Sequence, residues 1–179
     1  YSAKEVFEAD IILKVEPPTY DEIEYFKPGK TLISALQIGS KTEDYIHALN
    51  RKKITSVAFE LLEDKVGGMP VVRAMSEIAG STVMLIAAEY LSSVSDGKGV
   101  ILGGITGVPP TKVVILGAGT VGEFATRAAL GLGASVKVFE DSVYKLRRLQ
   151  NDIGSRIYTS VLQPKILCKA LKTADVVIG

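Results

Sequence analysis

Short apolar runs alternate with amphipathic stretches along nearly the whole chain, and one long apolar segment near the middle separates two such series. Asp10-Ile11-Ile12-Leu13-Lys14-Val15 is closed by Pro17-Pro18, the pattern of a strand that stops where proline supplies no amide. Residues 30–36, after the turn signal Lys27-Pro28-Gly29, predict a second strand. Thr42 is placed to cap a helix with Tyr45, Ile46 and Leu49 on its inner face, and residues 54–59 predict a third strand. Strands alternating with helices imply a parallel α/β sheet.

From Arg73 to about Val94 there is neither proline nor strand alternation. The apolar positions Met75, Ile78, Ala79, Val83, Ile86, Ala87, Tyr90 and Leu91 predict one long helix covered on several sides. Residues 95–110, rich in glycine and ending in Pro109-Pro110, read as a linker. The second series follows: strands at 112–116, 135–139, 156–159 and 175–178, with helices near 120–132, 143–152 and 164–173. A doubly wound dinucleotide domain has about six parallel strands. This series is therefore expected to be an incomplete one, within a chain that is an internal fragment.

Composition narrows the classes without choosing among them. A 47% hydrophobic share supports a sizeable core, and a net charge of +1 provides no field to attract nucleic acid or an anionic membrane. Nucleic acid and membrane insertion are accordingly not expected. The lone cysteine, Cys168, fits a cytoplasmic location and is expected to be a buried thiol. Tyr1-Ser2-Ala3-Lys4-Glu5 lacks the basic head and apolar stretch of a signal peptide. The longest uninterrupted apolar run, about Val83 to Ala88, is far short of the roughly 20 residues needed to span a bilayer.

The chemistry-bearing motif is Gly117-Ala118-Gly119-Thr120-Val121-Gly122, directly after the apolar strand Val113-Val114-Ile115-Leu116. It opens a helix expected to turn Val121, Ala125, Ala128 and Leu132 inward. In that context Gly117 permits the tight turn, Gly119 lets the backbone approach a diphosphate, and Gly122 lets the helix pack on the sheet. The helix N-terminus then offers free amides and a positive dipole end to the phosphates. Glu140 ends the next strand, roughly 20 residues past the glycines, where a carboxylate accepts hydrogen bonds from the adenosine ribose. A carboxylate there repels a 2′-phosphate, so the expected cofactor is NAD rather than NADP. Asp141 is positioned to share that role, while Arg147 and Arg148 lie a turn or two beyond.

Met75-Ser76-Glu77-Ile78-Ala79-Gly80, residues 103–109 (Gly-Gly-Ile-Thr-Gly-Val-Pro) and the glycine motif together resemble the alanine dehydrogenase family, whose close cousin is the transhydrogenase alpha subunit. The resemblance runs from Ala9-Asp10 to the end of the chain. It implies that residues 1–72 are the latter part of a flavodoxin-like α/β substrate domain. Residues 73–110 would be a connecting helix and linker, and 111–179 a truncated Rossmann-type NAD domain. The implied reaction is NAD-dependent deamination of L-alanine to pyruvate and ammonia, by a homo-oligomer. Ser76, matching the family's serine, is expected at the cofactor.

Where the family carries a catalytic lysine and histidine, a gapless alignment finds Glu16 and Gln37. Neither supplies a positive charge for a substrate carboxylate, although Gln37 retains an amide donor. Lys14, two residues from Glu16, is expected on the same strand face and is the remaining candidate cation. His47 lies in the helix after Thr42 and reads as a surface or packing residue, and Glu60, Glu63 and Asp64 as a solvated acidic loop without metal-binding spacing. The family's catalytic aspartate and substrate-binding arginine fall outside the sequence, so this piece alone should not turn over substrate. Three readings follow: an alanine-type dehydrogenase, a transhydrogenase alpha-type subunit, and a non-catalytic NAD-binding protein.

Overall fold

The computed structural model describes residues 2–179; Tyr1, part of the N-terminal stretch read above, lies outside the described residues. The chain divides into two compact units, one ending at Arg73 and one running from Ala74 to Gly179.

The first unit contains α1 (Ala3–Val6), β1 (Ile11–Leu13), α2 (Tyr20–Tyr25), β2 (Thr31–Ser34), α3 (Glu43–Arg51) and β3 (Thr55–Ala58). The strands form a parallel sheet in the order β1-β2-β3, with Ile12 opposite Leu32 and Ser34 opposite Ala58. Two apolar clusters hold it together: Phe7, Ile12, Phe26, Leu32 and Leu36 in one, and Ile23, Tyr45, Ala48 and Leu49 in the other. Thr42 is the N-cap of α3, but its side chain makes no cap bond, and its hydroxyl lies 3.3 Å from the Tyr20 hydroxyl instead. The buried Tyr45 hydroxyl donates to the Pro18 carbonyl at 2.7 Å, and burial pushes this phenol up to about 12.

Helix α4 (Pro70–Leu91), most of which belongs to the second unit, begins earlier than the apolar spacing predicts, with Pro70 at its first position, where a missing amide costs nothing. Its buried residues are Gly80, Met84 and Leu91, whereas Ile78, Leu85 and Tyr90 are 66%, 67% and 73% exposed. This chain therefore covers α4 on one side, not several. By length and composition alone α4 is apolar enough to cross a membrane, a test that core helices of proteins without a membrane span also pass. Helical periodicity, not contiguity, gathers those residues into one 22-residue element.

Strands β4 (Lys112–Leu116), β5 (Ser135–Phe139), β6 (Tyr158–Ser160) and β7 (Val176–Ile178) form a parallel sheet in the order β6-β5-β4-β7. Helices α5 (Thr120–Gly131), α6 (Val143–Ile153) and α7 (Pro164–Leu171) make the crossovers. The architecture is the Rossmann-type α/β expected, built on a core that includes Met84, Val113, Ile115, Ala125, Val138 and Leu149. Residues 95–110 are no free linker. Leu102 is buried, Gly104 donates to the Leu132 carbonyl at 3.1 Å, and the Thr111 hydroxyl accepts from Gly103. The inner face of α5 is Gly122, Ala125, Thr126 and Ala129, while Val121 and Leu132 are partly exposed. Cys168 is exposed on α7, contrary to the buried thiol expected.

Candidate functional site

In an open α/β sheet, ligands bind at the carboxyl ends of the strands where the strand order reverses. Here β4, the first strand of the second unit, lies between β5 and β7, so the reversal falls between β4 and β7. A hollow of about 330 Å³ opens at that point, lined by Ile115, Leu116, Gly117 and Gly119 from the end of β4, Ile178 and Gly179 from the end of β7, and Ser76 from α4. Thr120, Val121 and Gly122 complete its wall. Ser76 sits well inside α4 and so is not a helix cap.

Two of the glycines are required by the backbone they occupy. Gly117 has φ +108°, which side chains rarely adopt, and its amide donates to the Phe139 carbonyl at 2.7 Å, joining the turn to β5. A Cβ on Gly122 would lie 2.1 Å from the Gly117 carbonyl oxygen, so α5 can leave β4 at this distance only with glycine there. Gly119 is the N-cap of α5 and makes no side-chain cap bond. A Cβ added to it would meet open space, so the absence of a side chain leaves room in the hollow. By helical geometry the first amides of α5, from Thr120 and Val121, have no carbonyl a turn behind them. They form the positive end of the helix dipole, suited to an anion.

Glu140, at the end of β5, grips this turn. Its Oε2 accepts the Ala118 amide at 3.0 Å and its Oε1 accepts the Ser142 amide at 3.1 Å. The Ala118 amide first, then that of Ser142, with the Lys145 ammonium 3.6 Å away, hold its carboxyl below the usual carboxylate range. Arg148 donates to the Ala118 carbonyl at 3.3 Å, so the Ala118 residue is held at both its amide and its carbonyl. Asp141 is exposed beside these groups, and the bonds to the turn come from Glu140. Lys145 was not singled out from the sequence. Its signal was its place in the first turn of α6, just beyond the acid. Arg147 is exposed.

In the first unit the pairing of β1 with β2 runs on past Leu13, the Lys14 amide donating to the Ile33 carbonyl at 3.0 Å and the Ala35 amide to the Val15 carbonyl at 3.3 Å. Lys14 is 3.4 Å from the Glu22 carboxylate, and Glu16 is exposed. Gln37 follows β2 in the left-handed region, at φ 51° and ψ 41°. It lines a second hollow of about 310 Å³ with Ile38, Gly39, Ser40, Glu60 and Leu61. Glu60 is not part of a merely solvated loop, because its two oxygens accept the amides of Leu36 and Gln37 at 3.1 and 2.7 Å. Asp64 accepts the amides of Val66 and Gly68 within its own turn. His47 is exposed on α3, with Glu43 3.7 Å away. Among the described residues no group of three or more His, Cys, Asp or Glu side chains is arranged to hold a metal.

Two family models match the chain in sequence order: the alanine dehydrogenase/PNT N-terminal domain over residues 1–79 and the alanine dehydrogenase/PNT C-terminal domain over 83–179. An alanine dehydrogenase of Methanococcus maripaludis is 38% identical over 179 positions, 99% of this chain and 48% of that protein. One of Mycolicibacterium smegmatis is 38% identical over 172 positions, 96% of this chain and 46% of that protein. The chain thus spans about half the length of the curated relatives it matches. Among solved structures, an L-alanine dehydrogenase superposes with a TM-score of 0.85 at 34% identity, over 99% of this chain and 49% of that one. A transhydrogenase from Sinorhizobium meliloti gives 0.75 at 24% identity, over 99% and 51%, a likeness of fold.

Proposed function

Because the chain belongs to the alanine dehydrogenase/PNT family, we propose that it is part of an NAD(H)-dependent oxidoreductase acting on a small amino or oxo acid, with L-alanine and pyruvate the leading pair. The observation that carries this reading is the coincidence, at the strand-order reversal, of an open helix N-terminus with a carboxylate that braces the same turn. Backbone amides of Gly119, Thr120 and Val121 would hold the diphosphate, with Ser76 and Gly117 bordering it and Gly122 fixing the approach of α5. Glu140 has lone pairs left for ribose hydroxyls and repels a 2′-phosphate, which favours NAD over NADP. Asp141 stands next to it as a second, exposed acceptor. When bound, the nicotinamide ring supplies the hydride acceptor or donor.

On the substrate side, the candidate catalytic residues are Lys14, Glu16 and Gln37. Lys14 is engaged with Glu22, so it must leave that pair to meet a substrate carboxylate, while Gln37 can donate its side-chain amide without charge. The same residues favour a second reading. With Glu16 and Gln37 in place of a cation pair, a transhydrogenase-type subunit that passes hydride to another nucleotide needs no substrate carboxylate clamp. A protein that binds NAD without catalysis fits them too. We assign the whole protein to the cytoplasm, where a reduced, exposed Cys168 is stable. We assign it a homo-oligomeric state in which the exposed Ile78, Leu85 and Tyr90 of α4 are covered.

The deciding experiment is calorimetric titration of this chain and of the full-length protein with NADH and NADPH, followed by a pyruvate, ammonium and NADH assay on the full-length protein. NADH uptake at sub-millimolar concentration, with NADPH weaker, is expected. No uptake of NADH at millimolar concentration by folded protein rejects the reading, and uptake without turnover favours the other two, of which hydride exchange with a thio-NADP analogue on addition of a partner subunit selects the transhydrogenase type.

A further inference from the structure

Among the described residues Gln37 is one of three non-glycine residues with a left-handed backbone, and such residues persist where their surroundings over-determine them. Every backbone polar group of Gln37 is engaged. Its amide donates to Glu60 Oε1 at 2.7 Å, and its carbonyl accepts from the amide and the hydroxyl of Ser40, both at 2.9 Å. The other Glu60 oxygen accepts the preceding amide, from Leu36, at 3.1 Å. One carboxylate therefore closes on two successive amides, the role an anionic ligand has elsewhere in proteins. The parallel register makes this possible. Ser34 of β2 lies opposite Ala58 of β3, and two residues further on the same alignment brings Leu36 to Glu60. Glu60 is anchored through its neighbour Phe59, which is buried in the short 3-10 helix after β3.

We infer that Glu60 is a positioning residue: it holds the backbone of Gln37 in the left-handed conformation and so aims the Gln37 amide into the hollow at the carboxyl end of β2. The inference rests on the reading of Gln37 as a substrate contact, but its structural half stands apart from it. Without the carboxylate, two amides lose a charged acceptor and Gln37 is free to relax to extended backbone, which would carry its side chain elsewhere. A glycine adopts the left-handed region unaided, so it would need Glu60 far less.

The test compares Glu60→Ala, Gln37→Gly and the double variant. In the present chain, Glu60→Ala should speed amide exchange of residues 36 and 37 by about tenfold or more. It should also lower the thermal midpoint clearly less in the Gln37→Gly background than in the native one. Unchanged exchange, or equal losses in both backgrounds, overturns the inference. In the full-length protein, Glu60→Ala should raise KM for pyruvate about tenfold while the NADH dissociation constant stays within about twofold. Equal weakening of both, or of neither, overturns the positioning role. If the unaltered protein takes up no NADH, the dehydrogenase reading fails, and the exchange and midpoint comparisons still decide what Glu60 does.

Discussion

At the scale of single residues, Glu140 links ligand selection to stability. Its carboxyl is held low mainly by the Ala118 amide, so its charged form is favoured in the folded state. A group with a lowered folded value contributes stability above its unfolded value, about 4.3 for a glutamate, and loses that contribution as pH falls through the folded value. Unfolding by denaturant at pH 7 and near pH 3 should therefore show a smaller acid-induced loss for Glu140→Gln than for the native chain, and an equal loss would exclude this linkage. The same variant should bind NADH more weakly, because a side-chain amide replaces a charged acceptor toward the Ala118 amide and the ribose. The place of Glu140 was legible in the sequence because the acid falls at a fixed interval after the glycines and at a strand end. Glu60 was not, since its partners are 23 and 24 residues away and arrive only through the pairing of β2 with β3. The ion pair of Lys14 was not legible for a related reason: Glu22, 3.4 Å from its ammonium, stands on a helix not foreseen.

At the scale of elements, most strands were legible because they are short apolar runs between turn signals, and α3 to α7 because their apolar positions recur at helical spacing, whereas β6, Tyr-Thr-Ser, begins two residues later than expected. Helices α1 and α2 are too short for periodicity to reveal. Each carries another signature, a capping box formed by Ser2 with Glu5 and by Thr19 with Glu22, which the sequence displayed and apolar spacing ignored. The packing of α4 was legible only in part, since spacing identifies a helix but not which side its own chain will cover. What fixes the covered side is Gly80. A Cβ there would lie 2.5 Å from the Val121 carbonyl oxygen and 2.7 Å from the Phe124 Cβ, contacts that real side chains do not make. Gly80→Ala should force α4 off the start of α5 at a cost of about 1–3 kcal/mol in denaturant unfolding, despite the gain in helix propensity. Ser76 lies one turn earlier on the same helix and borders the hollow, so the variant should also weaken NADH binding. An unchanged midpoint in Gly80→Ala would mean that the two helices have slack to separate.

At the scale of the whole molecule, the apolar clusters are separate. Met84, Val113 and Leu149 belong to one in the second unit, and Leu32, Phe26 and Ile12 to another in the first. Folding of such a chain has no reason to be a single all-or-none event, and a calorimetric enthalpy exceeding the van't Hoff enthalpy is expected. A ligand stabilises what it binds by mass action, about 2.7 kcal/mol at a concentration 100 times its dissociation constant. Because the glycine turn, Glu140 and the hollow all lie in the second unit, NADH should raise the transition of that unit and leave the other where it was. Hydrogen exchange would assign the two, with Ile115, Leu116 and Ala118 protected by NADH while Leu32, Ile33 and Leu36 exchange as before. Equal protection of both groups would show that nucleotide binding is felt across the chain, and the first unit would then have to be counted as part of the binding machinery.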